Sequence, residues 1–105
     1  MGLRISDFSI PDCVEQYRNF WVSCTICAEK IVENVSAFLA FYRKKELWYV
    51  LELEESFTLN PHEERQLRWK TSVNADLPNN RYQVVFGLHG CVGTSKTTQV
   101  SISGG

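Results

Sequence analysis

A chain of 105 residues with 44% hydrophobic and 22% charged residues has the length and composition of one globular domain, expected over residues 1–105. A net charge of −1 provides no basic excess for holding phosphate backbones or anionic lipid surfaces. No apolar run approaches the ~20 residues that span a bilayer, so neither a nucleic-acid partner nor a membrane span is expected.

The N-terminal stretch MGLRISDFSIPDC has no basic segment leading into an apolar one, so it does not read as a signal peptide. Met1-Gly2 opens like a myristoylation site that Ser6 completes loosely, and Pro11-Asp12 breaks the first segment. From there the dominant period is two. Phe20, Val22, Cys24 and Ile26 alternate with Trp21, Ser23, Thr25 and Cys27, which predicts a strand. Ala28 to Asn34 contains the residues most compatible with a helical turn, but alternation continues on both sides of it, so strands are expected throughout.

Val35, Ala37, Leu39 and Phe41 then alternate with Ser36, Phe38, Ala40 and Tyr42. Arg43-Lys44-Lys45-Glu46 is a charged hairpin tip joining this run to Leu47–Leu53, and Asn60-Pro61-His62-Glu63-Glu64 is a polar turn. Leu67, Trp69, Thr71 and Val73 alternate with Arg68, Lys70 and Ser72, which predicts one buried face with Trp69 in the core. Tyr82, Val84, Phe86 and Leu88 alternate with Gln83, Val85 and Gly87, and Val100 and Ile102 with Gln99, Ser101 and Ser103. Runs this short, rich in aromatic and β-branched residues and separated by turn signals, predict an all-β sandwich of about seven antiparallel strands in two sheets.

The stretch GLHGCVGTSKTT, residues 87–98, has the composition of a phosphate-binding loop but not its spacing. That loop needs a lysine directly after its last glycine and a helix to follow. Gly93 is followed by Thr94-Ser95, and TTQVSIS is a strand pattern. The stretch is expected to be a hairpin loop. Cys24 and Cys27 form C-x-x-C inside an alternating run, where residues three apart point to opposite faces. This suits neither a zinc knuckle nor a redox motif, and buried free thiols are expected. Glu52, Glu54 and Glu55, like Lys44-Lys45, suit an edge strand whose charges deter edge-to-edge aggregation.

Two segments carry a family resemblance. Phe57-Thr58-Leu59-Asn60-Pro61-His62-Glu63-Glu64-Arg65-Gln66-Leu67-Arg68-Trp69 is similar to the pattern x-L-x-P-G-E-x-x-x-x-x-W, with His62 where the pattern has glycine. Leu77-Pro78-Asn79-Asn80-Arg81-Tyr82-Gln83-Val84 is similar to P-G-x-Y-x-V. In these the chain resembles an immunoglobulin-like sandwich of the fibronectin type III sort, and most closely the bacterial cell-adhesion-related domain family, over roughly residues 14–103. The Leu-Pro turn before a strand-opening Tyr also resembles a tyrosine corner, which makes Tyr82 structural. Val84 stands where antibody domains place a cysteine, so no inter-sheet disulfide of that kind is expected.

The function expected is a noncatalytic interaction or adhesion-type module. Its partner would be a protein or a glycan, with a second copy of the chain among the candidates, bound through a strand edge or an aromatic face. The residues expected to carry binding are Trp48, Tyr49, Arg43, Lys44 and Lys45, the tryptophan or tyrosine that does not point inward forming the aromatic contact. No catalytic, cofactor or metal residue is expected. The alternative is a small zinc- or thiol-dependent enzyme using His89 and Cys91.

Overall fold

The computed structural model describes residues 2–90 and 94–104. Among them are eight strands: β1 (Leu3–Ser9), β2 (Cys13–Glu15), β3 (Phe20–Ala28), β4 (Val32–Arg43), β5 (Glu46–Leu59), β6 (Glu64–Thr71), β7 (Asn80–Leu88) and β8 (Ser95–Ser103). They form two sheets in an immunoglobulin-like all-β sandwich, one of three strands in the order β1-β3-β6 and one of five in the order β2-β8-β7-β4-β5. Among the described residues no helix is long and apolar enough to cross a membrane.

The alternating runs are the strands, and their apolar halves are the core. Val22, Cys24 and Ile26 of β3 face Val35, Leu39 and Phe41 of β4 and Tyr82, Val84 and Phe86 of β7 across the sandwich, all buried. Glu29-Lys30-Ile31 joins β3 to β4 without a helical turn, because both flanking segments are committed to pairing. The count exceeds seven because Pro11-Asp12 does more than interrupt the first segment. Before it, β1 pairs antiparallel with β3; after it, β2 joins the other sheet by pairing parallel with β8. The sandwich is therefore antiparallel except at this short edge strand, and buried Gln16 then holds β2 down by donating to the Leu77 carbonyl.

Two turns show how local residues meet backbone demands. Lys44 and Lys45 both have positive φ, 52° and 65°, as a two-residue hairpin turn matching strand twist requires. His62, standing where the resembling pattern has glycine, has φ 60° and occupies the left-handed region that glycine tolerates best. Trp69 departs from the expectation of a core residue. It packs against Phe57 and Phe86 at 6.2 and 5.7 Å yet is only half-buried, because β6 is an edge strand.

Tyr82 is fully buried and its hydroxyl donates to the Pro78 carbonyl at 2.8 Å, so the tyrosine corner is present. Cys24 and Cys27 lie on opposite faces of β3, Cys24 buried and Cys27 half-buried, and both are free thiols, as is exposed Cys13. Burial pushes the Cys24 thiol from its ordinary 9.0 up to about 12. A thiol reagent at pH 8 is therefore expected to label Cys13 and Cys27 while Cys24 reacts only on unfolding. The same shift has a stability consequence. Between about pH 9 and 12 the unfolded chain ionises this thiol and the folded chain does not, so stability complete below pH 9 falls by up to about 1.4 kcal/mol per pH unit across that window. Urea titrations of wild type and Cys24→Ala at rising pH check this; parallel curves would contradict it.

Candidate interaction surface

Strand β5 is the longest of the described strands, at 14 residues, and among the described residues it has a partner strand on one side only. Its partner β4 is central, held by β7 on its other side. The outer edge of β5 thus presents backbone N–H and C=O groups with no strand beside them, a template for pairing. At one point this edge is occupied: Arg65 of β6 reaches across and donates to the Thr58 carbonyl at 3.1 Å.

The sequence divides this strand into two runs, Leu47–Leu53 and the Phe57 segment, whereas the structure makes them continuous. Irregularities in the β4–β5 register fall on both sides of a regular stretch that pairs Tyr49–Leu53 with Ala37–Phe41. On one side Trp48 is the extra residue. On the other, Glu54, Glu55 and Ser56 span the gap opposite Ser36, with Glu55 at φ 74°. Such bulges twist an edge strand and confine the regular free edge to five residues.

The expected binding residues separate along this strand. Trp48 is 39% exposed at its bulge, with the Arg43 guanidinium 5.7 Å from its ring and the Tyr82 ring 6.5 Å away, edge on. Tyr49 turns inward instead and packs beside Phe41 at 5.9 Å. Lys44 and Lys45 are exposed at the tip and Arg43 is half-buried beneath it. Trp48 is thus the outward aromatic of the pair, and Arg43, Lys44 and Lys45 form its basic border.

Other contributors emerge only from the fold. On the outer face of the five-stranded sheet, Ala40 lies between Val50 of β5 and Val85 of β7, and Tyr42 pairs with Leu47. Leu47 is 49% and Val50 41% exposed, so an apolar stripe faces solvent here. Beside it the Phe38 ring covers Gly87 so closely that an added Cβ would sit 2.6 Å from the ring. The clue in the sequence is that β4 is apolar on both faces, since Phe38, Ala40 and Tyr42 alternate with an equally apolar inward set.

His89 closes the upper end of this face. Its Nε2 meets Glu52 Oε1 at 2.6 Å and its ring lies 4.8 Å from Phe38. Cys91, the other residue of the enzyme alternative, lies outside the described residues, as do Val92 and Gly93 of the glycine-rich stretch. Lys96 and Thr97 sit within β8, so no helix follows that stretch to point its N-terminus at a phosphate. Among the described residues no three His, Cys, Asp or Glu side chains converge to hold a metal ion.

A second feature runs along the open side of the sandwich. A cleft of about 530 Å³ lies between β5 and β6, with Leu51, Leu53 and Trp69 among its apolar lining. Glu52, Glu54 and Glu55 border it from β5, and Arg68 and Lys70 from β6. Arg68 also covers Trp21 on the outer face of the smaller sheet, its guanidinium 4.4 Å from the ring.

No family model matches the chain, and no curated protein matches it. Solved structures do. A Niemann-Pick type C2 protein from the Japanese carpenter ant superposes with a TM-score of 0.74 at 12% identity, covering 98% of this chain and 94% of that one. The C-terminal domain of Wzt gives 0.71 at 13% identity, with 97% and 74% covered. The CARDB domain of a Pyrococcus furiosus protein, solved in complex with di-metal ions, gives 0.58 at 14% identity, with 96% and 87% covered. At such identities the likeness establishes the β-sandwich fold and leaves the partner open.

Proposed function

We propose that this chain is a noncatalytic recognition module that takes an extended segment of a protein partner along the free edge of β5. The observation that carries the reading is the regular edge stretch Tyr49–Leu53, open on one side, with exposed Val50 within it and exposed Leu47 and Trp48 beside it. Strand addition supplies affinity through main-chain hydrogen bonds and specificity through alternate side chains, and this edge offers both. The apolar stripe of the five-stranded sheet extends the contact, and the basic tip Arg43-Lys44-Lys45 and acidic Glu52, Glu54 and Glu55 form charged borders at its two ends.

The edge is testable with peptides displayed on phage and selected on the immobilised protein. Binders are expected to alternate apolar and polar residues and to lose at least about tenfold in affinity on Val50→Lys, which puts a charge beside the edge. Enrichment of binders indifferent to Val50→Lys would refute the edge, and binding confined to a glycan array would move the site to the exposed rings of Trp48 and Trp21. The enzyme alternative built on His89 and Cys91 predicts stoichiometric zinc or a modifiable catalytic thiol in purified protein.

A further inference from the structure

Resting on the reading of β5 as a recognition edge, we infer that the segment it takes is the β5 edge of a second copy of this chain, paired antiparallel about a two-fold axis. The argument is one of charge order. Along the edge the residues run basic at the tip (Lys44, Lys45), apolar through the middle (Leu47 to Leu51) and acidic at the far half (Glu52, Glu54, Glu55). A strand with opposite charges at its two ends is complementary to itself when reversed. It repels itself when aligned parallel, with lysine beside lysine and glutamate beside glutamate.

Antiparallel pairing of the regular stretch Tyr49–Leu53 carries the basic tip of one copy toward the acidic half of the other. Each tip therefore lies on the other copy's acidic half, twice over by symmetry. Exposed Val50 then falls within the paired stretch and exposed Leu47 beside it, where the second copy covers them. Glu46 follows the two lysines, and with Arg43 before them the tip stays net positive.

The same charges that deter pairing with arbitrary strands thus select one pairing mode. Bulges at Trp48 and around Glu55 end the regular ladder on either side, which confines the pairing to Tyr49–Leu53. The two five-stranded sheets would join into one of ten, with the stripe of Phe38, Ala40, Tyr42, Val50 and Val85 continuous across the axis.

The test uses solution mass by sedimentation equilibrium. Wild type is expected to dimerise at high micromolar concentration, more weakly as salt screens the end charges. Lys44→Glu with Lys45→Glu, and separately Glu54→Lys with Glu55→Lys, are each expected to weaken the dimer at least about tenfold, since like charges then meet at both ends. An equimolar mixture of the two variants restores opposite charges at both ends and is expected to form the heterodimer. All four positions are exposed, and far-UV circular dichroism confirms that each variant is folded. Amide exchange over Tyr49–Leu53 is expected to slow as concentration rises.

A wild type that stays monomeric at these concentrations overturns the inference while leaving recognition of a foreign strand, measured by phage selection, intact. A dimer indifferent to both charge reversals, or a mixture that fails to associate, overturns it equally, by placing the contact on another face.

Discussion

Truncating Phe86 to alanine is expected to cost about 3–5 kcal/mol of unfolding free energy, the range for deleting a buried aromatic ring. Phe86 is fully buried on β7 of the five-stranded sheet, yet the rings it touches belong to the other sheet. Phe8 of β1 stacks on it with centroids 5.0 Å apart and Trp69 of β6 lies at 5.7 Å. One side chain therefore joins three strands across the sandwich. Phe8 and Trp69 are both half-buried near sheet edges and cannot move inward to fill the void without leaving their own strands. Domains of this size are stable by about 5–15 kcal/mol, so the loss takes a large share of the total. Urea unfolding should show a lower midpoint with an unchanged slope. A loss below about 1 kcal/mol would mean that the two layers are held together elsewhere.

The second large effect belongs to Tyr82, where the ring and the hydroxyl can be separated. Tyr82→Phe keeps the buried ring but leaves the Pro78 carbonyl without its donor, an expected cost of about 1–3 kcal/mol. Tyr82→Ala removes the ring as well, together with the surface against which Trp48 packs, and is expected to cost more, about 3–5 kcal/mol. pH provides a further check. Burial raises the Tyr82 hydroxyl above its ordinary value, with nearby Arg43 pulling the other way. Above about pH 10 the unfolded chain releases this proton before the folded chain does, so the hydroxyl's contribution declines as pH rises. The stability of Tyr82→Phe should therefore fall less steeply than wild type in alkali, and identical slopes would show that the hydroxyl is not the group responsible. Because Trp48 leans on Tyr82, its fluorescence should shift in both variants and report whether the basic border of the β5 edge has moved.

Much of this architecture is legible in single residues. Phe20 to Cys27, Val35 to Tyr42 and Tyr82 to Leu88 each form a strand whose inward set of apolar residues is buried, although Val35 to Tyr42 is apolar on its outer face as well. Lys44-Lys45 read as a hairpin tip because charge interrupts two apolar runs there, and the tip is where the chain turns. Tyr82 read as structural because a Leu-Pro turn precedes it. The sequence does not tell which of Trp48 and Tyr49 faces outward, and a bulge decides it. Trp48 is the extra residue in the β4–β5 register, and one extra residue reverses which side the next side chain takes.

Bulges are poorly legible because the residues that accommodate them here, Asn34 and Glu55 at φ 55° and 74°, are not glycines and so carry no local mark. For the same reason the Leu47–Leu53 and Phe57 runs read as separate pieces rather than as one long edge strand. The pairing of β2 with β8 brings Cys13–Glu15 beside Ser101–Ser103, from the far end of the chain, and three residues are too few to reveal a period.

The sequence by itself determined which segments extend, which of their faces are apolar and where the chain turns, because a period of two and the residues that tolerate turns are properties of a few neighbouring positions. It also determined the order of charges along Lys44 to Glu55. The charges of this segment already suit an edge; only the tertiary structure decided that Leu47–Leu53 and the Phe57 segment form one strand at the rim of the sheet, with Val50 and Leu47 left in solvent. Which strand lies beside which depends on contacts between residues far apart in the chain, and an edge becomes an edge only when every other strand has found its neighbours.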